Sequence, residues 1–250
     1  AQEAVGYQIA QQVKEYLKHG VFQNAVNVPS VSHEEYVIME PYIALAERLG
    51  AFLAQASEGS MEEITVRYSG HISEWKTELV RNAAIKGMLN QALDEKANLV
   101  NAAAIADSRG LRVRETRKAK AGTGGAGSVL AIHLKTSSEE HLVKGAVLHG
   151  REPRLLAIDE IDVEAPLERH LIYLRNRDVP GVIGRVGTIL GEHKINIANF
   201  SLGRFSGEPG SGAAREAVAV VHVDDRVPEP VLMELRKIEA VEQAKAITLV

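Results

Sequence analysis

Apolar side chains recur every fourth residue at the start of the chain: Val5, Ile9, Val13 and Leu17, with Tyr16 beside them. That spacing puts them on one stripe of a helix, and Gly20 supplies a left-handed stop. No Ser, Thr, Asp or Asn caps the start, so this helix is expected to continue a longer protein cut upstream. Phe22 to Pro29 reads as an extended exit segment. Ser32 and Glu35 have capping-box spacing, but Pro41 interrupts soon after. The main second helix is therefore expected from Pro41 to Gln55, with Ile43, Leu45, Ala46, Leu49 and Leu53 on its apolar face.

Past Gly59 the period changes to two. Ile64, Val66 and Tyr68 alternate with Glu63, Thr65 and Arg67, as in a half-buried strand. A long helix is expected over 74–93 and a shorter one over 101–109, stopped by Gly110. Strands are expected over 111–118, 129–135, 141–148 and 155–163. This middle region is α+β with a mainly antiparallel sheet. Pro166 marks a short hinge. The remainder predicts strand 171–174, helix 182–193, strands 195–204 and 217–223, helix 229–237 and strand 244–249. That order, βαββαβ, is the ferredoxin-like split arrangement. A Gly- and Ser-rich stretch, 206–215, joins two of its strands as an expected mobile hairpin.

Composition narrows the class. A chain of 250 residues holds roughly two domains. Its diffuse net charge of -4 argues against nucleic acid or an anionic membrane as partner. With no cysteine, disulfides, thiol catalysis, iron–sulfur clusters and zinc–thiolate sites are excluded. No apolar run approaches the roughly 20 residues of a membrane span, and no signal-peptide pattern opens the chain. A cytoplasmic protein is the default expectation.

Candidate chemistry concentrates at 176–187. Gly181, Gly184 and Gly187 have the spacing G-x-x-G-x-x-G, which is not the dinucleotide fingerprint. Gly184 and Gly187 share a helical face, where close packing against a sheet or another subunit is the ordinary explanation. Pro180 suits a first helical turn, whose free N–H groups would face a ligand carboxylate. Asp178 is placed to hold an ammonium group, and Asn196 to hold either end of a zwitterion. Their ordinary alternatives are a helix cap and a turn. Gly122 to Gly127 lacks the Gly-Lys-Ser/Thr ending of a phosphate loop and reads as a hairpin connection. Arg112 and Arg114 share a strand face, and Lys144, Arg151 and Arg154 form a second basic group; solvated faces are the ordinary reading of both. The nine histidines show no metal-ligand spacing. No catalytic, cofactor-binding or metal-binding set emerges.

The run Asn176-Arg177-Asp178-Val179-Pro180-Gly181, with Gly184, Gly187, Leu190 and Asn196-Ile197-Ala198, resembles an ACT domain, a regulatory module for small ligands. The whole chain resembles the C-terminal part of the long-form bacterial D-3-phosphoglycerate dehydrogenase family. The motifs Ala1 to Gly6, Phe22 to Asn27, Pro153-Arg154-Leu155 and Ile158-Asp159 carry that likeness. The resemblance implies a terminal helix and exit segment of the catalytic domains (1–29), an antiparallel-sheet α+β intervening domain (30–165) and a βαββαβ ACT domain (166–250). It implies a parent enzyme that oxidises 3-phosphoglycerate with NAD in L-serine synthesis, with its NAD-binding and catalytic residues upstream of this chain. It also implies feedback inhibition by L-serine at ACT interfaces, self-association and contact with those upstream domains. By position the serine contacts are Asn176, Asp178, Gly181, Val182 and Asn196; Asn176 stands where relatives often place His or Tyr. Lys144 and Arg151 are the implied anion contacts. The rival classes are a stand-alone amino-acid-binding module, a serine-dehydratase-like chain and a ferredoxin-like RNA binder. Zero cysteines weigh against the second, and Tyr173 as the sole stacking ring of its strands weighs against the third.

Overall fold

The stripe of apolar residues at the start forms a helix, α1 (Gln2–His19), as expected, but its Val5, Ile9, Val13 and Leu17 stay exposed. The computed structural model describes residues 2–19, 31–93, 96–119, 127–206 and 215–249. The exit segment, most of the glycine stretch 122–127 and most of the 206–215 connection lie outside the described residues.

Ser32 and Glu35 make the capping box reciprocally, with Glu35 N–H donating to Ser32 Oγ at 3.1 Å and Ser32 N–H to Glu35 Oε2 at 2.7 Å. The helix they start, α2, runs His33–Ala56, so Pro41 does not open the helix but lies within it. The carbonyl that Pro41 leaves without a partner is that of Val37, a residue 53% exposed, where water can satisfy it. Beyond β1 (Met61–Gly70) comes a 3-10 turn, His71–Glu74, and then extended backbone at Trp75. The Trp75 ring packs edge-on to Tyr42 at 5.2 Å. The next helix, α3 (Glu78–Leu89), is thereby shorter than its apolar period predicts. It crosses α2 closely: a Cβ at Gly50 would strike the Ala84 backbone, and one at Gly87 the Glu47 backbone.

The first sheet comprises β1, β2 (Arg112–Lys118), β3 (Ser128–Thr136), β4 (Glu140–Leu148), β5 (Glu152–Ile158) and β6 (Ile161–Pro166), entered after the short α4 (Ala102–Ser108). Its order is β2-β1-β3-β4-β5-β6, and only the β1–β2 pair is parallel. One strand was expected over 155–163; there are two, because Asp159 takes a left-handed turn at φ 53°. Pro166 is no hinge: it ends β6, in register with Arg154.

The second unit follows the expected βαββαβ order: β7 (His170–Arg177), α5 (Val182–Glu192), β8 (Ile197–Arg204), β9 (Glu216–Val223), α6 (Glu229–Arg236) and β10 (Val241–Thr248). Its sheet order is β10-β7-β9-β8, antiparallel throughout. Both faces are buried. Ile172, Leu174, Ala219 and Val221 pack under α5 and α6, while Leu171, Tyr173, Val218 and Val220 join the core built on α2 and the first sheet.

Three kinds of contact fasten that second face. Phe52 of α2 meets Tyr173 edge to face at 5.7 Å, and burial pushes the Tyr173 hydroxyl pKa up to about 12. The Gln55 amide exchanges two hydrogen bonds with the backbone of Thr248, at 2.9 and 3.0 Å. Gly203 of β8 lies so close to β6 that a Cβ would meet the Asp162 carbonyl. An ionic chain adds to these. His141 Nδ1 bonds Asp159 Oδ2 at 2.9 Å, Asp159 reaches Arg175 Nη1 at 3.4 Å, and Arg175 pairs with Glu216. Glu139 approaches the other His141 nitrogen at 3.4 Å. The Asp159 bond raises the His141 pKa above its ordinary 6.5, against the opposing effect of burial. Burial pushes Asp159 up, but the His141 bond, the Leu142 N–H and Arg175 together bring it below its ordinary value.

Gly203→Ala is expected to cost about 1–3 kcal/mol by urea unfolding, because backbone rather than a flexible side chain meets the new methyl. Stability should also depend on pH through the ionic chain. The His141 contribution is full below the ordinary imidazole value and is lost as pH rises through the raised folded value. The Asp159 contribution is lost as pH falls through its lowered value. Urea midpoints measured across neutral to alkaline pH should therefore decline in the wild type, and His141→Gln should flatten that decline.

Candidate functional site

A cavity opens where β7 hands over to α5. Its volume is about 460 Å³, and its walls include Asn176, Asp178, Gly181, Val182, Phe200, Leu202 and Arg204. Strand alternation explains the set. Leu174, Asn176 and Asp178 are successive alternate positions along and beyond β7; Phe200, Leu202 and Arg204 are alternate positions of β8. Four of the sequence-predicted contacts, Asn176, Asp178, Gly181 and Val182, thus share one space.

The turn itself differs from expectation. The helix starts at Val182, with Gly181 as its cap at φ 91°, so Pro180 precedes the first turn. That backbone conformation suits glycine, and no side chain caps the helix. The first-turn N–H groups are therefore left to solvent or to an occupant of the cavity. Asp178 is no helix cap. Its Oδ2 pairs with Arg204 Nε at 3.3 Å, while its N–H donates to the Arg215 carbonyl at 2.6 Å. Asn176 is buried, and its Nδ2 donates to the Arg177 carbonyl at 2.8 Å.

Asn196 is elsewhere. It lies just before β8, and its Nδ2 donates to Asp224 Oδ2 at 2.7 Å. Arg204 is level with Ala217 and Ile197 with Val223, so Asn196 and the cavity sit at opposite ends of β8, roughly 20–25 Å apart. Gly184 and Gly187 are also not packed as expected against this chain's sheet: a Cβ at either would meet nothing within 4 Å. Glycines that do permit close approach between elements include Gly50, Gly87, Gly145 and Gly203. Lys144 stands mid-strand, level with Ala131 and Ala157, while Arg151 lies in the β4–β5 turn, roughly 15 Å along the strand. Arg112 and Arg114 both meet Glu63, at 3.5 and 3.3 Å. Among the described residues no group of three or more His, Asp or Glu is arranged for a metal, and no helix is long and apolar enough to cross a membrane.

Sequence reasoning missed Arg204 and its apolar companions Phe200 and Leu202. The signal was present in the two-residue alternation of β8, but only the strand order shows that β8 ends beside the β7–α5 turn.

A ferredoxin-like unit with a polar cavity at its first strand-to-helix turn, joined to an antiparallel α+β unit, is the arrangement that the ACT resemblance implies. Comparison with known proteins specifies it. Residues 38–159 match the D-3-phosphoglycerate dehydrogenase intervening domain and residues 170–240 match the ACT domain. D-3-phosphoglycerate dehydrogenase of Synechocystis sp. is 33% identical over 252 residues, covering 100% of this chain and 44% of that protein. That of Methanocaldococcus jannaschii is 33% identical over 249 residues, covering 100% and 46%. D-3-phosphoglycerate dehydrogenase 2, chloroplastic, of Arabidopsis thaliana is 32% identical over 258 residues, covering 97% and 40%. The chain spans less than half the length of these curated relatives. It is the counterpart of the C-terminal regulatory part of D-3-phosphoglycerate dehydrogenases.

Because Arg204 is exposed and the pair serves the cavity rather than the core, Asp178→Asn should leave the unfolding free energy from urea titration within about 1 kcal/mol of wild type.

Proposed function

We propose that this chain is the effector-sensing part of a D-3-phosphoglycerate dehydrogenase, and that its effector is L-serine. The observation that carries the reading is the cavity at the β7–α5 turn. It gathers a carboxylate (Asp178), an amide (Asn176) and uncapped helix N–H groups within one cavity that has room for an amino acid. Asp178 holds the effector's ammonium group, and the N–H groups of the first α5 turn meet its carboxylate. The parent enzyme oxidises 3-phosphoglycerate with NAD, through residues outside this chain.

Asn196 enters from a second copy. Among the described residues β8 is an edge strand, and its half-buried Phe200 lies near the exposed Ile183. An antiparallel copy of β8 centred on Phe200 brings that copy's Asn196 level with Arg204, at the mouth of the cavity. Each dimer then has two equivalent sites, each built from both chains. Serine favours the paired arrangement, and the rigid joint between the two sheets passes that preference toward the intervening unit. Lys144 and Arg151 are proposed as contacts for a phosphate or substrate anion, each by itself given their separation.

Mixed variants test the shared site. Asp178→Ala and Asn196→Ala are each expected to weaken L-serine binding by about tenfold or more in calorimetry. An equimolar mixture should recover about a quarter of the wild-type sites, because half the dimers are mixed and each carries one intact site. Unchanged heats from Asn196→Ala would remove Asn196 from the site. No heat from the wild type would sink serine as the ligand.

A further inference from the structure

Resting on the amino-acid reading of this cavity, we infer that Arg204 is a specificity-determining residue. It forms with Asp178 a charge pair that only a zwitterion can replace. The two groups arrive from different elements, Asp178 from the β7–α5 turn and Arg204 from the end of β8, and both line the same cavity. Their contact runs from Arg204 Nε to Asp178 Oδ2 at 3.3 Å, so the outer edge of the guanidinium is not used in it. The Arg204 side chain is 64% exposed and can swing, whereas Asp178, at 23%, is held at the turn by its N–H bond to the Arg215 carbonyl.

Exchange conserves charge. An α-amino acid presents an ammonium and a carboxylate on neighbouring atoms. Its ammonium takes the place of Arg204 beside Asp178, and its carboxylate takes the place of Asp178 beside Arg204. Two ion pairs replace one, and no charge in the half-enclosed space is left without a partner. A hydroxy acid has no ammonium and leaves the Asp178 carboxylate unpaired when it draws Arg204 away. An amino-acid amide has no carboxylate and leaves the guanidinium unpaired. Discrimination by an unpaired charge is stronger than discrimination by shape alone. The uncapped first turn of α5, whose Val182 and Ile183 line the cavity, supplements Arg204 at the carboxylate but carries no full charge.

Calorimetry on the full 250-residue chain tests this with L-serine, L-serinamide and glycerate as probes. The wild type should bind L-serine at least about tenfold more tightly than either analogue. Arg204→Gln should weaken L-serine by about tenfold while tightening serinamide, which no longer has a guanidinium to displace, and Arg204→Lys, which keeps the charge, should retain most of the affinity. Thermal melts of each variant establish that it is folded. Equal L-serine affinity in wild type and Arg204→Gln overturns the role of Arg204 while leaving serine as the effector. Equal affinity of the wild type for L-serine and serinamide overturns the zwitterion requirement. No L-serine heat in the wild type overturns the serine reading and this inference together.

Discussion

Burying both faces of the β7–β10 sheet is the constraint on which the rest of the structure depends. A sheet with one wet face alternates apolar and polar residues; this one cannot. Leu171, Ile172, Tyr173 and Leu174 are all buried in succession, as are Ala217 to Val221. Each large side chain so enclosed contributes about 1.5–3 kcal/mol. The two units are thereby joined through a continuous core, with Phe52 and Tyr173 at its middle. The centre of the sheet is filled, so a cavity can open only at a strand end, and it does so at the end of β7.

Strand β7 divides its work by parity. Tyr173 and Arg175 face the first unit, one meeting Phe52 and the other Asp159. Leu174 and Asn176 face the cavity. The cavity wall and the ionic chain are therefore one residue apart on the same strand. Glu216 strengthens this link: it pairs with Arg175, and its neighbour Arg215 accepts the Asp178 N–H. The joint is thus made of packed rings, side-chain-to-backbone hydrogen bonds and ion pairs together.

Much of the architecture was legible in the sequence because local periodicity is a local property. The capping box at Ser32, the alternation at Ile64 to Tyr68 and the βαββαβ order all followed from residues near one another. The misreadings arose where tertiary contact overrode local preference. Pro41 stays inside α2 because its orphaned carbonyl is wet; the strand at 155–163 is folded in two by Asp159; Trp75, packed on Tyr42, shortens α3. The site was legible on one side only. Asn176, Asp178 and Gly181 are contiguous and announce a turn, whereas Arg204 lies 26 positions after Asp178. Its proximity depends on strand order, which no short stretch encodes. The same limit explains the glycines: spacing marked Gly184 and Gly187 as close-packed, whereas Gly50 and Gly87 at the α2–α3 crossing, Gly145 under α2 and Gly203 against β6 are among those that admit close approach.

The docking of Gln55 on Thr248 has a topological consequence. Arg236 Nε likewise donates to the Ala244 carbonyl at 2.9 Å, so backbone groups at two points along β10 are already engaged by side chains. A four-stranded sheet ordinarily offers two edges, and a protein that offers both can polymerise without end. Here one edge is occupied from within the chain and the other, β8, is left to pair. In the proposed pairing through β8, growth by strand addition terminates at two copies. In that pairing the helix that joins the units also closes an association that two open edges would leave unending.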